Sequence, residues 1–127
     1  METHLMDEKQ LKTISPAALS YLGDAVYELA VREHLLLNGA GKVNNLHLNA
    51  VAYVRAERQA QLFHQIESML DDEELTIFRR ARNTKGSHQP PQASGLEALV
   101  GFWYLRQNKQ RLQQIFSILF AHENKEA

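Results

Sequence analysis

The chain contains 127 residues, 44% of them hydrophobic and 23% charged, with a formal net charge of −1, which is typical of one globular domain and argues against disorder. A mean hydropathy of −0.40 without a long uncharged apolar run excludes a transmembrane helix, and the polar segment Met1–His4 does not resemble a secretory signal. The absence of cysteine excludes disulfides, thiolate zinc sites and a cysteine nucleophile, and it favours a reducing compartment, the cytoplasm.

The first half of the chain is predicted to form two helices. Ser15 can cap a helix whose first residue is Pro16, because the N–H that proline lacks has no partner at that position. Apolar residues then recur at three- and four-residue spacing until Asn38 and the following glycine end the helix. After a short loop, a second helix is predicted from residue 44 or 45 to residue 70.

The second half is predicted to contain three more helices. Asp71 and Glu74 have capping-box spacing, which opens a short helix to about Arg82. The segment Asn83–Gln92 is predicted as a long loop because its consecutive prolines are incompatible with a helix. The last two helices are predicted over Ser94–Tyr104 and Gln110–Phe120. Strand patterns are almost absent, so the sequence predicts an all-helical domain.

The first helix carries a carboxylate, Asp24, among apolar residues. A helical wheel places it beside Tyr21 and Val31, opposite an apolar face made up of Leu19, Leu22, Val26 and Ala30. Because apolar residues occupy both sides, the helix is predicted to contact something on each, such as a second subunit. A carboxylate in such surroundings is costly unless it is paired or binds a cation. An ordinary surface aspartate is the commoner case, and periodicity alone favours it.

Two other acids have structural interpretations. Glu28 has Arg32 as a partner four residues later on the same helix. Glu97 stands three residues after Ser94, as in a capping box, yet it is also the one acid between Glu74 and Glu123 and lies in an apolar run. Capping and metal binding are both open to Glu97, because a carboxylate has two oxygens.

Positive charge is concentrated in residues 75–122, which carry seven cations and one acid, whereas the rest of the chain has a balance of −7. This distribution predicts either a surface that faces a polyanion or two parts that neutralise each other across the core. Four of these cations and an asparagine form a run at a helix end: Arg79, Arg80, Arg82, Asn83 and Lys85. Arginine suits phosphate oxygens, but cations also favour helix C-termini. The six histidines have no metal-ligand spacing, and no phosphate-binding glycine loop or nucleophile elbow is present.

Two strings resemble signature motifs of the ribonuclease III family. Residues 21–28, Tyr-Leu-Gly-Asp-Ala-Val-Tyr-Glu, resemble its signature helix, and residues 96–101, Leu-Glu-Ala-Leu-Val-Gly, resemble its later glutamate-bearing motif. Supporting strings lie in the family's order at residues 15–19, 45–47, 50–56, 59–60 and 79–83. The chain is similar to the small bacterial members that have the nuclease domain alone, and the match covers residues 14 to about 120. We therefore expect one domain over residues 1–127, with 1–13 and 121–127 as flexible ends.

The resemblance implies a catalytic site. It assigns Asp24 and Glu97 as the catalytic, metal-binding carboxylates, with Mg²⁺ as the cofactor and Mn²⁺ as a substitute. Ser20 and Ser94 occupy positions where the longer members carry two further acids, which the small members also lack. The implied reaction is phosphodiester hydrolysis that leaves 5′-phosphate and 3′-hydroxyl ends.

The resemblance also implies partners. The substrate would be double-stranded RNA, in particular the precursor of 23S (large-subunit) ribosomal RNA, bound by the basic run; the 83–92 loop is shorter than in the family, which would alter this grip. A symmetric homodimer would pair two sites, with Tyr21 and Leu22 at the interface, and a ribosomal protein or pre-ribosomal particle could assist; no membrane is expected. The alternative is a non-catalytic helical RNA-binding or ribosome-assembly module that retains the fold. The presence of both Asp24 and Glu97 favours the enzyme.

Overall fold

The computed structural model describes residues 7–38, 56–83 and 91–121, and these ranges contain helices and no strand. The α-helices are α1 (Glu8–Thr13), α2 (Pro16–Leu37), α3 (Ala56–Ile66), α4 (Asp72–Arg82), α5 (Pro91–Leu105) and α6 (Lys109–Ala121). A 3₁₀ turn, Glu67–Met69, connects α3 to α4. The predicted all-α class is confirmed. Within the described ranges, no helix combines the length and the apolar character needed to cross a membrane.

Helix ends that depend on local capping agree with the sequence. The Ser15 hydroxyl accepts a hydrogen bond from the Ala18 N–H at 3.1 Å at the start of α2. At the start of α4, the Asp71 carboxylate accepts from the Glu74 N–H at 2.8 Å, and the Glu74 carboxylate accepts from the Asp71 N–H at 2.9 Å. Both predicted starts are confirmed, because each needs only residues within one turn.

Two segments differ from their predictions in the first half of the chain. Residues 8–13, predicted as part of a flexible end, form α1, which Asp7 and Gln10 cap and which buries Leu11. The second predicted helix ends at Ile66, because a tighter 3₁₀ turn precedes the Asp71 cap. Its predicted start at residue 44 or 45 lies outside the described residues, as do residues 1–6 and 122–127 of the expected flexible ends.

Helix α5 is the centre of the described core. Every residue from Ser94 to Trp103 is buried, and α2, α3, α4 and α6 all pack against this helix. A helix that is apolar on all sides is stable only with neighbours all round it. The one charged residue within the buried stretch is Glu97, which is 3% exposed.

Helix α2 turns a different face to the core from the one that its leucines predict. The buried residues follow one another at four-residue spacing: Leu19, Gly23, Tyr27, Val31 and Leu35. Val31 is therefore a core residue, although the wheel placed it beside Asp24 and away from the core. Gly23 permits a close approach to α5, and this approach turns the side of α2 that carries Tyr27 toward the core. Leu29 and Leu36 lie outside that side and stay exposed.

Candidate active site

Asp24 lies in the middle of α2 with its side chain exposed. It follows directly after the buried Gly23 and stands one turn after Ser20, so it lies at the edge of the face that packs on α5. Among the described residues, no hydrogen bond or ion pair involves its carboxylate, whereas Glu28 pairs with Arg32 at 2.7 Å as predicted. The position of the Asp24 side chain is therefore set by where α2 places its backbone.

Glu97 lies in the second turn of α5, and the capping interpretation of this residue is wrong. The helix begins at Pro91 and not at Ser94, because Pro91 occupies a first-turn position where the missing N–H has no partner. Ser94 is consequently inside the helix and buried, at 5% exposed, so it is not an N-cap to which Glu97 could reach back. Helix capping, the structural alternative to metal binding for Glu97, is therefore excluded.

The backbones that carry the two carboxylates are in contact, although the residues are more than seventy positions apart in the chain. A Cβ atom placed on Gly23 would lie 1.6 Å from the carbonyl oxygen of Glu97 and 2.8 Å from the backbone nitrogen of Gly101. One on Gly101 would lie 2.2 Å from the carbonyl oxygen of Leu19. Only glycine permits this approach at either position. Each glycine in a helix interior costs about 1 kcal/mol relative to alanine. Two glycines inside predicted helices could therefore have indicated that the helices cross closely at these positions.

A side-chain hydrogen bond joins the same two helices one turn before each carboxylate. The Ser20 hydroxyl donates to the carbonyl oxygen of Ser94 at 2.9 Å. Asp24 follows Ser20 by four residues, and Glu97 follows Ser94 by three, so each carboxylate shares a helix face with its serine. Sequence reasoning treated Ser20 as a missing acid and Ser94 as a missing acid or an N-cap, and it did not predict the bond.

The donor set at this crossing suits a hard cation. Carboxylate, hydroxyl and carbonyl oxygens are the ligands that Mg²⁺ prefers, and it commonly takes one or two carboxylates and completes its shell with water and phosphate. Within residues 7–38, 56–83 and 91–121, no group of three or more histidine, cysteine, aspartate or glutamate side chains could hold a metal. The residues present therefore fit a magnesium site with few protein ligands better than a site with many.

The basic run lies at the C-terminal end of α4. Arg79, Arg80 and Arg82 are exposed in the last turn, and Asn83 is the exposed C-cap. The Arg82 Nε contacts the Asn83 side-chain oxygen at 3.5 Å. Lys85, and residues 84–90 of the predicted loop, lie outside the described residues.

Phe78 connects this basic end to the segment that carries Glu97. Its ring is buried, and a Cβ atom placed on Gly95 would lie 2.1 Å from that ring. The guanidinium carbon of Arg82 lies 5.7 Å from the centre of the same ring. One ring thus contacts Arg82 on one helix and Gly95 on the other, two residues before Glu97. The C-terminal end of α4, which carries the arginines, therefore lies next to the first turns of α5.

Arg106 and Arg111, two cations of the basic half, are bound to acidic side chains. Arg106 pairs with Glu8 at 3.0 Å and with Glu73, and hydrogen bonds from its guanidinium to Glu73 first and Glu8 second raise its pKa. Arg111 is bound to Glu74 through two hydrogen bonds of 2.7 and 2.9 Å. For these two residues, the neutralising interpretation of the charge distribution is right. For Arg79, Arg80 and Arg82, the polyanion-facing interpretation stays a prediction.

Glu74 is the centre of this structural network. It accepts from the Trp103 indole at 2.7 Å as well as from Arg111 and the Asp71 N–H, and it is 4% exposed. Burial by itself would raise the pKa of Glu74, but the hydrogen bonds from Arg111, Asp71 and Trp103 outweigh it and hold the pKa below 4.5. This carboxylate holds α4, α5 and α6 together and is not available for catalysis.

The outer side of α2 exposes large apolar side chains. Tyr21 is 84% exposed, and Leu29 and Leu36 are 58% and 63% exposed at positions that share its side of the helix. Leu22, the other predicted interface residue, is half-buried. The prediction that α2 is apolar on both sides agrees with this exposure, and the role of Tyr21 and Leu22 at a subunit interface stays a prediction.

Comparison with known proteins places this geometry in a family. The family model for the ribonuclease III domain matches residues 17–108, a range that contains Asp24, Glu97 and the whole basic run. The chain is 50% identical over 105 residues to the Mini-ribonuclease 3 of Desulfitobacterium hafniense, covering 77% of this chain and 67% of the relative. It is 42% identical over 111 residues to the Mini-ribonuclease 3 of Symbiobacterium thermophilum, covering 81% and 85% of the two chains.

A solved structure gives the same result for the fold. An X-ray crystal structure of a Fusobacterium nucleatum protein superposes with a TM-score of 0.80 at 29% identity, and the match covers 89% of this chain and 97% of that one. The family model, the relatives and the fold therefore agree. The chain belongs to the ribonuclease III family of endoribonucleases, and within that family it is similar to the Mini-ribonuclease 3 proteins.

Proposed function

We propose that this endoribonuclease cleaves double-stranded RNA in the cytoplasm, depends on Mg²⁺ with Mn²⁺ as a substitute, and matures the precursor of 23S ribosomal RNA. The observation that carries the proposal is the contact between Gly23 and the carbonyl of Glu97, which brings two carboxylate-bearing segments to one crossing. The names of the relatives support the substrate class.

In this mechanism, Asp24 and Glu97 would hold the cation, each through its carboxylate. When bound, Mg²⁺ supplies activation of a water for attack at phosphorus and neutralises charge at the leaving 3′ oxygen, which gives 5′-phosphate and 3′-hydroxyl ends. Asp24 is exposed, so a cation held by its carboxylate would be accessible to a substrate phosphate. Glu97 is 3% exposed within the buried stretch of α5, so packed neighbours limit the movement of its side chain.

The basic end of α4 would bind the RNA backbone. A-form RNA hides its base edges in a deep, narrow groove, so recognition relies on shape, phosphates and 2′-hydroxyls. Arg79, Arg80 and Arg82 can donate to phosphate oxygens, Asn83 can bond a 2′-hydroxyl, and Lys85 extends the positive charge along the chain. The Phe78 contact with Gly95 keeps this surface beside Glu97.

One site cuts one strand, so cleavage of a duplex requires two sites. A symmetric homodimer through the exposed side of α2, with Tyr21 and Leu22 at the interface, would supply them. Because the protein reads shape, a ribosomal protein that reshapes the precursor would increase cleavage. Comparing naked precursor RNA with the pre-ribosomal particle tests that partner.

The decisive experiment incubates the purified protein with precursor 23S ribosomal RNA in Mg²⁺ and then with a chelator, and maps the ends. Asp24→Asn and Glu97→Gln should abolish cleavage while the dimer and RNA binding persist, and Glu28→Gln, on the same helix, should leave cleavage intact. Binding of duplex RNA without cleavage by the wild-type protein would overturn the proposal in favour of the non-catalytic module. Unchanged cleavage by Asp24→Asn would show that Asp24 is not a metal ligand.

A further inference from the structure

We propose that Ser20 is a positioning residue for the metal site: its hydrogen bond to the Ser94 carbonyl sets how α2 lies on α5, and hence how Asp24 meets Glu97. This inference rests on the proposed function, because it assigns Asp24 and Glu97 to one cation. It assigns Ser20 no contact with the cation or the RNA.

The bond is placed where it controls both carboxylates. The Ser20 Oγ to Ser94 O distance is 2.9 Å, and the two residues are 74 positions apart, so the bond forms only in the folded domain. Each serine stands one turn before a carboxylate on the same helix face. A small rotation of α2 at Ser20 would therefore displace Asp24 relative to Glu97.

The closest part of the crossing contributes little directional control of that rotation. Gly23 and Gly101 set how closely the backbones approach, but a glycine presents no side chain that would resist sliding or turning. A hydrogen bond is directional, because it weakens steeply as its angle opens. The Ser20 hydroxyl thus adds a directional contact to the apolar packing between α2 and α5, and it is half-buried beside the buried Ser94.

Asp24 depends on this element more than Glu97 does. Glu97 lies in the buried stretch of α5, surrounded by packed neighbours. Asp24 is exposed, and no hydrogen bond or ion pair within the described part of the chain holds its carboxylate. Its place relative to Glu97 is inherited from α2, which Ser20 anchors.

The test compares four variants. Ser20→Ala removes the hydroxyl at a helix position where alanine is the better helix former, so the variant should fold. Ser20→Thr and Ser20→Val form a matched pair of the same shape, of which only threonine can donate the bond. Ser117→Ala, an exposed serine on α6, is the control for losing a hydroxyl elsewhere.

The readouts are Mn²⁺ affinity without RNA, from electron paramagnetic resonance, and the Mg²⁺ concentration for half-maximal cleavage. Loss of a group that hydrogen-bonds a metal ligand directly typically weakens metal binding by about 10–100-fold. Ser20 acts through the helix and not on a ligand, so we expect the low end, with Ser20→Ala and Ser20→Val binding Mn²⁺ up to about tenfold more weakly. Saturating Mg²⁺ should restore most of their kcat, and Ser20→Thr should bind near the wild-type affinity. RNA affinity measured in Ca²⁺ should stay unchanged in all four.

Each outcome separates this inference from the proposed function. Suppose that the wild-type protein binds Mn²⁺ and cleaves duplex RNA. If Ser20→Ala and Ser20→Val then bind Mn²⁺ as tightly as the wild type, the positioning role is overturned and the proposed function stands. Lower thermal stability with unchanged metal affinity also overturns it, because that result describes a purely structural bond. A wild-type protein that neither binds Mn²⁺ nor cleaves RNA overturns both.

Discussion

Replacing Gly23 with alanine should destabilise this protein, although the same change in an ordinary helix stabilises it. In an exposed helix interior, alanine is favoured over glycine by about 1 kcal/mol. At Gly23, however, the added Cβ would lie 1.6 Å from the Glu97 carbonyl oxygen and 2.6 Å from the carbonyl carbon, and ordinary contact begins at 3.4 Å. Both obstructing atoms belong to the backbone of α5, so no side chain can move aside.

The magnitude follows from how far the helices must separate. Relief of the clash requires α2 and α5 to move apart by roughly 2 Å, which a core packed at crystal-like density cannot absorb without loss of contacts. Forced overpacking costs about 1–3 kcal/mol and occasionally more. Because the obstructing atoms are backbone, we expect an overpacking cost at the upper end, about 3 kcal/mol. The helix-propensity gain of about 1 kcal/mol offsets part of it, so the free energy of unfolding should fall by a net of about 2 kcal/mol.

Urea unfolding followed by far-ultraviolet circular dichroism measures this change. The matched control is Ala25→Gly, two residues along the same helix and exposed, which should cost only the helix-propensity difference of about 1 kcal/mol. A Gly23→Ala variant as stable as the parent, or more stable, would refute the close contact between α2 and α5 and with it the convergence of Asp24 and Glu97.

Three further predictions concern the surroundings of the site. Arg82→Ala should weaken binding of duplex RNA and reduce the salt slope of the affinity by about one unit; an unchanged slope in a salt titration would exclude Arg82 as a phosphate contact. Tyr21→Asp should shift the protein from dimer to monomer in sedimentation experiments, because it places a charge in an apolar interface, and a persistent dimer would exclude Tyr21 from that interface. Glu74→Gln should lower stability at pH 7 by about 3 kcal/mol, because it leaves Arg111 without its partner charge. Since the folded pKa of Glu74 is lowered, its contribution is complete above pH 4.5 and is lost as the pH falls through the folded value, so the deficit should shrink at pH 3 and a constant deficit would contradict the network.

Features that depend on neighbours within one turn could be predicted from the sequence. Ser15 and Asp71 cap the helices that they were predicted to cap, and Glu28 finds Arg32 four residues away. The glycine and asparagine signals after α2 also mark its end correctly, because Asn38 is the C-cap. These contacts exist in any chain that forms the local helix, so local rules suffice.

Features that depend on distant residues were missed. Helix α1 is held by the Glu8–Arg106 ion pair and by burial of Leu11, and neither is visible in the local sequence. Arg111 was counted only as part of the positive charge of residues 75–122, yet it is bound to an acid 37 positions away. The start of α5 was placed too late, because proline was read as a helix breaker where it is a first-turn residue, at Pro91.

The same distinction between local and distant contacts applies to the candidate site. Both carboxylates were singled out in the sequence and the family resemblance predicts their role, but no spacing rule could bring Asp24 to Glu97. The glycines that make the crossing possible carry a readable signal, since a glycine within a helix is unfavourable unless it has a reason to be there. The hydrogen bond from Ser20 to Ser94 has no such signal, because serine occurs in many helices without a partner across a helix interface.

Anomalous diffraction from crystals of the wild-type protein soaked in MnCl₂ tests the convergence of Asp24 and Glu97 most directly. We predict a manganese peak at the crossing of α2 and α5, in contact with carboxylate oxygens of both residues, and its loss in Asp24→Asn crystals. A manganese peak that contacts only one of the two carboxylates, or a peak elsewhere with none at the crossing, would contradict the shared metal site.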